Sequence, residues 1–221
     1  MKKKILDRKQ ETVDGVIYQY STDWIHQLES EEHWRLYWRQ AKLLHNMVRP
    51  GDRVLEIGPG AGFMANYLRS RDVTVVTMDI DPGKKPDLVA NIVTVDWSRH
   101  QFDHILAFEV FEHIPFAKFS QLLPGMLAAC GKTLTMSVPM NEYVLCRVEF
   151  RLPAIGRRKF EITAPKFHID EENHFWEIGM GQTSEKKIVS MFHSHSFALI
   201  RKKRVFSRLF LQFEKIEARE R

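Results

Sequence analysis

Val54-Leu55-Glu56-Ile57-Gly58-Pro59-Gly60-Ala61-Gly62-Phe63 is the stretch on which the rest of the chain depends. Val54 to Ile57 is a short run of strand type, apolar but for one acid. Glycines then fall at positions 58, 60 and 62, and a helix-compatible run extends from Met64 to Ser70. Glycine permits the sharp turn from strand to helix and lets backbone come close to a ligand, because no Cβ intervenes.

Working outward, Val73 to Met78 is a nearly continuous β-branched and apolar run, as a buried parallel strand requires. It ends in Asp79-Ile80-Asp81-Pro82-Gly83, of which the last three residues are turn chemistry. A third, short strand is expected over Asp87 to Ala90 or Asn91, and a fourth over Phe102 to Phe108. Lys118 to Ala129 has a helical pattern with Phe119, Leu122, Leu123, Met126 and Leu127 inward, and Gly131 is expected as its C-cap. Thr133 to Val138 is a fifth strand, stopped by Pro139. A helix follows from Glu185 to His195, capped by Thr183 or Ser184. Phe197 to Arg201 and Phe206 to Phe213 alternate as a closing hairpin, joined by a basic link.

Two segments stand outside this alternation. Upstream, Asp14-Gly15 reads as a turn and Val16 to Tyr18 as a short strand or an ordered arm. Trp24, Leu28, Trp34, Trp38, Ala41, Leu44 and Val48 then recur near a 3.6 period, so a helical cap is expected over residues 1–48. Its tryptophans are read chiefly as anchors to the domain, with Tyr18, Trp34 and Tyr37 as candidates to roof a site. Downstream, Asn141 to Phe175 shows no clear periodicity and is rich in aromatics, charges and proline. So long an irregular insert suits an acceptor-binding lid, over residues 140–176.

Composition bounds the rest. With 221 residues and 44% hydrophobic content, one domain with a sizeable core is expected. A net charge of +5 permits an anionic substrate or nucleic acid without arguing for either. Arg157-Arg158-Lys159 and Arg201-Lys202-Lys203-Arg204 read as solvated faces. No run is long enough to cross a bilayer, so no membrane partner is expected. Met1-Lys2-Lys3-Lys4 is not followed by the apolar stretch of a secretory signal. Cys130 and Cys146 make no disulfide framework, and a reducing cytoplasm is the plain reading. Oligomeric state is not legible.

The glycine spacing resembles motif I of the class I S-adenosylmethionine (SAM)-dependent methyltransferases, in particular their small-molecule members. Phe63 stands where a dinucleotide fingerprint needs its third glycine, which disfavours a NAD-dependent dehydrogenase. The order of elements, from about Leu44 to Phe213, matches that family. It implies a Rossmann-like α/β fold: a seven-stranded, mostly parallel sheet with helices on both faces and a C-terminal antiparallel hairpin. The resemblance implies SAM as cofactor. Glu56, Gly58, Gly60 and Gly62 would lie by its amino acid part. Asp79, at the end of the second strand, would accept the ribose hydroxyls. Ile80 would lie against the adenine. Asn91 and Ile92 take the place where the family often has an acid near the adenine amine, with Asp96, close to the next strand, as the alternative; an amide can accept from N6 or donate to N1. Phe108 and Glu109 would line the pocket.

Glu109-Val110-Phe111-Glu112-His113-Ile114 lies at the carboxyl end of the fourth strand, where the family carries out methyl transfer. The leading expectation is transfer to a hydroxyl of a small molecule or sugar, with no metal. A base removes the hydroxyl proton, and His113 and His174 are the foremost candidates, with His168 a third. A buried structural histidine is the competing reading for His113. The string also resembles the small-RNA 2′-O-methyltransferases, in which two glutamates and two histidines hold magnesium. The matching set here would be Glu109, Glu112, His113 and His174, and its acceptor an RNA ribose. Nucleic acid is the less favoured acceptor, and a SAM-binding module without catalysis is the remaining alternative.

Overall fold

The structure, a computed structural model, describes residues 11–13, 16–18, 30–166, 174–181 and 183–216. For residues 11–13 and 16–18, and for Glu32, Arg157 and Lys159, only the backbone is described, and the turn read at Asp14-Gly15 falls outside it. The expectations for Trp24 and His168, and for the Tyr18 side chain, fall outside this.

A short hairpin, β1 (Glu11–Val13) and β2 (Val16–Tyr18), precedes helix α1 (Glu31–Leu44). Ser30 caps α1 by accepting from the His33 amide. Leu36, Gln40, Leu43 and Leu44 form its buried stripe. This corrects the anchoring role read for Trp38. Trp38 is 54% exposed, with the Arg39 and Lys42 cations over its ring, and Trp34 is 48% exposed.

The alternating core then follows as expected: β3 (Arg53–Ile57), α2 (Phe63–Arg69), β4 (Thr74–Asp79), β5 (Leu88–Val89), β6 (Phe102–Phe108), α3 (Phe116–Ala128) and β7 (Cys130–Pro139). After an excursion come α4 (Glu185–His193), β10 (Phe197–Val205) and β11 (Arg208–Lys215). Seven strands form one sheet in the order β10-β11-β7-β6-β3-β4-β5. The strands from β7 to β5 are parallel; β11 runs antiparallel to β7, and β10 antiparallel to β11. Alternate residues of each strand serve opposite faces. Leu55, Ile105 and Leu134 meet α3 and α4 on one side, while Val54, Val75 and Leu106 meet α1 and α2 on the other. Phe192 of α4 stacks on Phe213 of β11 at 3.8 Å.

Three local expectations change. Gly131 does not cap α3. Ala129 does, and the chain passes straight into β7, where a Cβ on Gly131 would lie 3.3 Å from the Phe102 carbonyl. The basic run 201–204 is not a link but part of β10. The turn is Phe206-Ser207, both at positive φ (50° and 60°), as a two-residue hairpin loop demands. The insert after Pro139 is not irregular. It is a ribbon of β8 (Glu142–Leu152) and β9 (Gly156–Pro165), whose alternation a bulge at Leu145 interrupts.

At the amino edge of the sheet, β3, β6 and β7 are tied by polar contacts. Buried His104 reaches Thr133 Oγ1 at 2.7 Å and Asp52 at 3.1 Å, and Lys132 bonds Asp52 and Asp103. Burial keeps the His104 imidazole below its usual pKa. All later geometry lies at the opposite, carboxyl edge.

Candidate functional site

The carboxyl edge begins with the glycine turn. Gly58, Gly60 and Gly62 have φ of 66°, 56° and 74°, in the left-handed region that side chains resist. Gly58 donates to the Met78 carbonyl, which ties the turn to β4. A Cβ on Gly58 would come within 2.7 Å of Val110 Cγ2. Glu56 is buried beneath the turn. One carboxyl oxygen has no hydrogen-bond partner. Burial pushes this carboxyl up to about 8 against the opposing pull of the Ala65 amide and the Arg69 charge.

Because β4 and β5 lie beside β3, Asp79 and Asn91 continue the same edge. Asp79 closes β4, is 5% exposed, and accepts from the Asp81 amide at 2.9 Å. Lys84 Nζ bonds both its oxygens, at 3.0 and 3.2 Å. Ile80 is half-buried. Asn91 is buried, with Oδ1 accepting from the Val93 amide and Nδ2 lacking a hydrogen-bond partner. Ile92 is buried beside it. A glycine turn with no room for a side chain at Gly58, and lone polar atoms on Glu56 and Asn91, suit a polar ligand along this edge.

β6 delivers the other half. Phe108 is half-buried against Phe210. Glu109 has φ of 56° and its carboxylate is held from two sides, by Ser137 Oγ at 2.7 Å and Arg208 Nε at 2.8 Å. Sequence reasoning missed Arg208, which lies ninety-nine residues downstream. A single 3₁₀ turn, Phe111–His113, then presents Glu112 inward and His113 at the rim. The segment 174–178 is stitched to it: the Phe175 amide donates to the Glu112 carbonyl and the Trp176 indole to the Ile114 carbonyl. The His113 and His174 rings consequently lie 5.1 Å apart. One ligand atom from each of Glu112, His113 and His174 falls within 4.8 Å of the others. Glu109 is not in that group.

His174 has a carboxylate behind it. Its Nδ1 lies 2.9 Å from Glu177 Oε1, and Asn141 Nδ2 donates to Oε2 at 3.0 Å. Burial of Glu177 would raise its pKa. Its bonds to His174 and Asn141, with the Lys166 charge, outweigh that and hold it below the ordinary value. A carboxylate only accepts, so Nδ1 carries the hydrogen and Nε2 is the basic nitrogen. Glu177 and Asn141 were both visible in the sequence, but nothing in their spacing, 36 residues apart, joined them.

Above the glycine turn, Trp34, Tyr37, Phe63 and Tyr67, with Ala61 and Asn66, line a cavity of about 340 Å³. Tyr37 stacks on Phe63 at 4.9 Å, and Trp34 meets Phe63 edge-on at 5.2 Å.

The methyltransferase domain family matches residues 30–203. No curated protein matches the chain. Among solved structures, it is similar to magnesium protoporphyrin IX methyltransferase from Synechocystis with bound SAM, at TM-score 0.58 and 12% identity, covering 90% of this chain and 86% of that one. A SAM-dependent methyltransferase from Aquifex aeolicus gives TM-score 0.58 at 15% identity, covering 90% and 100%. The small RNA methyltransferase HEN1 gives 0.59 at 13%, covering 84% of this chain but 25% of that protein. At such identities the structural likenesses speak for the fold, and the family match for membership. The chain therefore belongs to the methyltransferase domain family and is a class I, SAM-dependent methyltransferase.

Proposed function

We propose that the chain methylates a hydroxyl group of a small molecule or sugar. The observation that carries this is the His174–Glu177 pair beside His113, at the carboxyl end of β6. SAM, when bound, supplies an electrophilic methyl group on a sulfonium. Glu56, Gly58, Gly60 and Gly62 would hold its amino acid end, Asp79 its ribose, and Ile80, Asn91 and Ile92 its adenine. Phe108 and Glu109 would wall the pocket toward the acceptor. His174 Nε2 would take the hydroxyl proton, with Glu177 fixing the tautomer and stabilising the imidazolium. His113 would position the acceptor or share the proton. The remaining work is alignment and exclusion of water.

The test is methyl transfer from labelled SAM to matched hydroxyl and amine acceptors. Transfer to the hydroxyl series, lost in H174A while S-adenosylhomocysteine still raises the melting temperature, is the expected result. Transfer to amines that H113A and H174A leave unchanged would refute it.

The convergence of Glu112, His113 and His174 favours a second reading, in which these residues hold a divalent cation. A carboxylate and two imidazoles suit such an ion, which would gather the neighbouring hydroxyls of an RNA ribose. Titration of magnesium and manganese against an E112A control decides between the two, with binding equal in both proteins excluding the metal.

A further inference from the structure

The β8–β9 ribbon is longer than any strand pair around it and exposes apolar side chains along its length. Its register sorts them. Beyond the bulge, Val148 pairs with Phe160, Phe150 with Arg158, and Cys146 with Ile162, and cross-strand partners share a face. The other face carries Arg147 opposite Glu161, with Glu149 and Arg151 in the same row. This is an amphipathic ribbon whose apolar face is uncovered. Val148, Phe150, Leu152, Phe160 and Ile162, with Ile155 at the tip, are each between 42% and 57% exposed. At its base the charged face leans on the domain, since the Arg147 guanidinium lies 4.6 Å over the Phe206 ring. The apolar face is turned away from that contact. A contiguous apolar patch of this kind marks an interaction surface.

Charge and side-chain type identify the partner. Residues 149–160 hold four basic side chains (Arg151, Arg157, Arg158, Lys159) against one acid, Glu149. Of these, Arg158 alone sits on the apolar face, opposite Phe150, while positions 151, 157 and 159 belong to the other row and flank the tip. A second copy packed on this face would bury Arg158 of both chains with no acid in that row to pair it. Single-stranded nucleic acid would meet the arginines and stack on Phe150 and Phe160, but Val148, Leu152, Ile155 and Ile162 offer bases no platform. A bilayer with anionic headgroups satisfies both features: aliphatic and aromatic groups enter the acyl boundary, and long basic side chains reach lipid phosphates from it.

We propose that the β8–β9 ribbon docks this protein peripherally on an anionic lipid surface. The absence of an apolar spanning run in the sequence, and of a helix among the described residues long and apolar enough to cross a membrane, does not bear on such a ribbon. The ribbon leaves the sheet after Met140, and Asn141 at its foot bonds Glu177, so the ribbon and the candidate site share that foot. The proposal stands independently of which acceptor is methylated.

The experiment is flotation of the full chain with vesicles of phosphatidylcholine alone, or of phosphatidylcholine and phosphatidylglycerol in equal parts. Binding to the second composition, weakening as salt is raised, is expected. The F150S/I155S/F160S variant should bind at least about tenfold more weakly with an unchanged melting temperature, because these positions are exposed. R151E/R158E should lose the preference for phosphatidylglycerol, and it decides alone if the serine variant fails to fold. No binding to anionic vesicles, or binding that neither variant changes, overturns the proposal. So does a concentration-dependent dimer, or binding of a single-stranded RNA oligonucleotide, that the serine variant abolishes while the parent ignores vesicles.

Discussion

Glu109 and Arg208 meet across the carboxyl edge of the sheet, Oε2 to Nε at 2.8 Å, with the Ser137 hydroxyl on the other carboxylate oxygen. Glu109 directly follows β6 at a positive φ, and Arg208 opens β11 directly after the Phe206-Ser207 turn. The closing hairpin thus sets the orientation of a residue expected at the cofactor pocket. A partly exposed pair of this type is worth about 1 kcal/mol. R208A should therefore weaken SAM binding by roughly fivefold by titration calorimetry, with little change in melting temperature. Unchanged affinity would detach Glu109 from the pocket.

Behind His174, Glu177 holds the imidazole in one tautomer. E177Q keeps the shape but removes the charge, so methyl transfer should fall by about ten- to a hundredfold. The rate should also move in its dependence on pH, because the imidazolium loses its carboxylate. S-adenosylhomocysteine should still stabilise the variant. A rate loss with an unmoved pH profile would make Glu177 a purely structural partner.

Gly58→Ala places a Cβ 2.7 Å from Val110 Cγ2, at a φ of 66°. The strain should cost about 1–3 kcal/mol in denaturant unfolding and abolish the stabilisation by SAM. G58A/V110A removes the clash but not the backbone strain, so it should recover only part of the stability. Full recovery would assign the whole cost to the contact.

Glu56 titrates near pH 8 when folded, against an ordinary value of 4.5. The folded chain therefore holds this proton more tightly than the unfolded chain. The stability it contributes is complete below pH 4.5 and is lost as pH rises through about 8. E56Q removes this dependence. Its melting temperature should overtake that of the parent between pH 6 and 9, by an amount growing with pH. Comparing the two proteins isolates Glu56 from His104, whose depressed pKa acts in the opposite sense, favouring the folded state as pH rises through its own range.

The local half of this architecture was legible in the residues. β-branched runs, glycines and turn residues act over a few positions, so β3, β4, β6, β7 and the helices after them fell close to where the pattern put them. Asp79 could be named because a parallel sheet carries each strand's end to the same edge, and Asn91 because of the family resemblance. Two misreadings share one cause. In sequence Trp38 reads as packed and the apolar residues of the ribbon as patternless, because hydrophobicity in a sequence does not say whether anything lies against it.

What the sequence alone determined was a class I methyltransferase fold and SAM as its cofactor. Tertiary structure decided which groups meet across long gaps: Arg208 with Glu109, Asn141 with Glu177, and His174 with His113. Those contacts are made by the return of β11 to β7 and by the stitching of residues 174–178 onto the turn after β6. Sheet pairing and buried hydrogen bonds set such distances, and neither leaves a periodic trace along the chain.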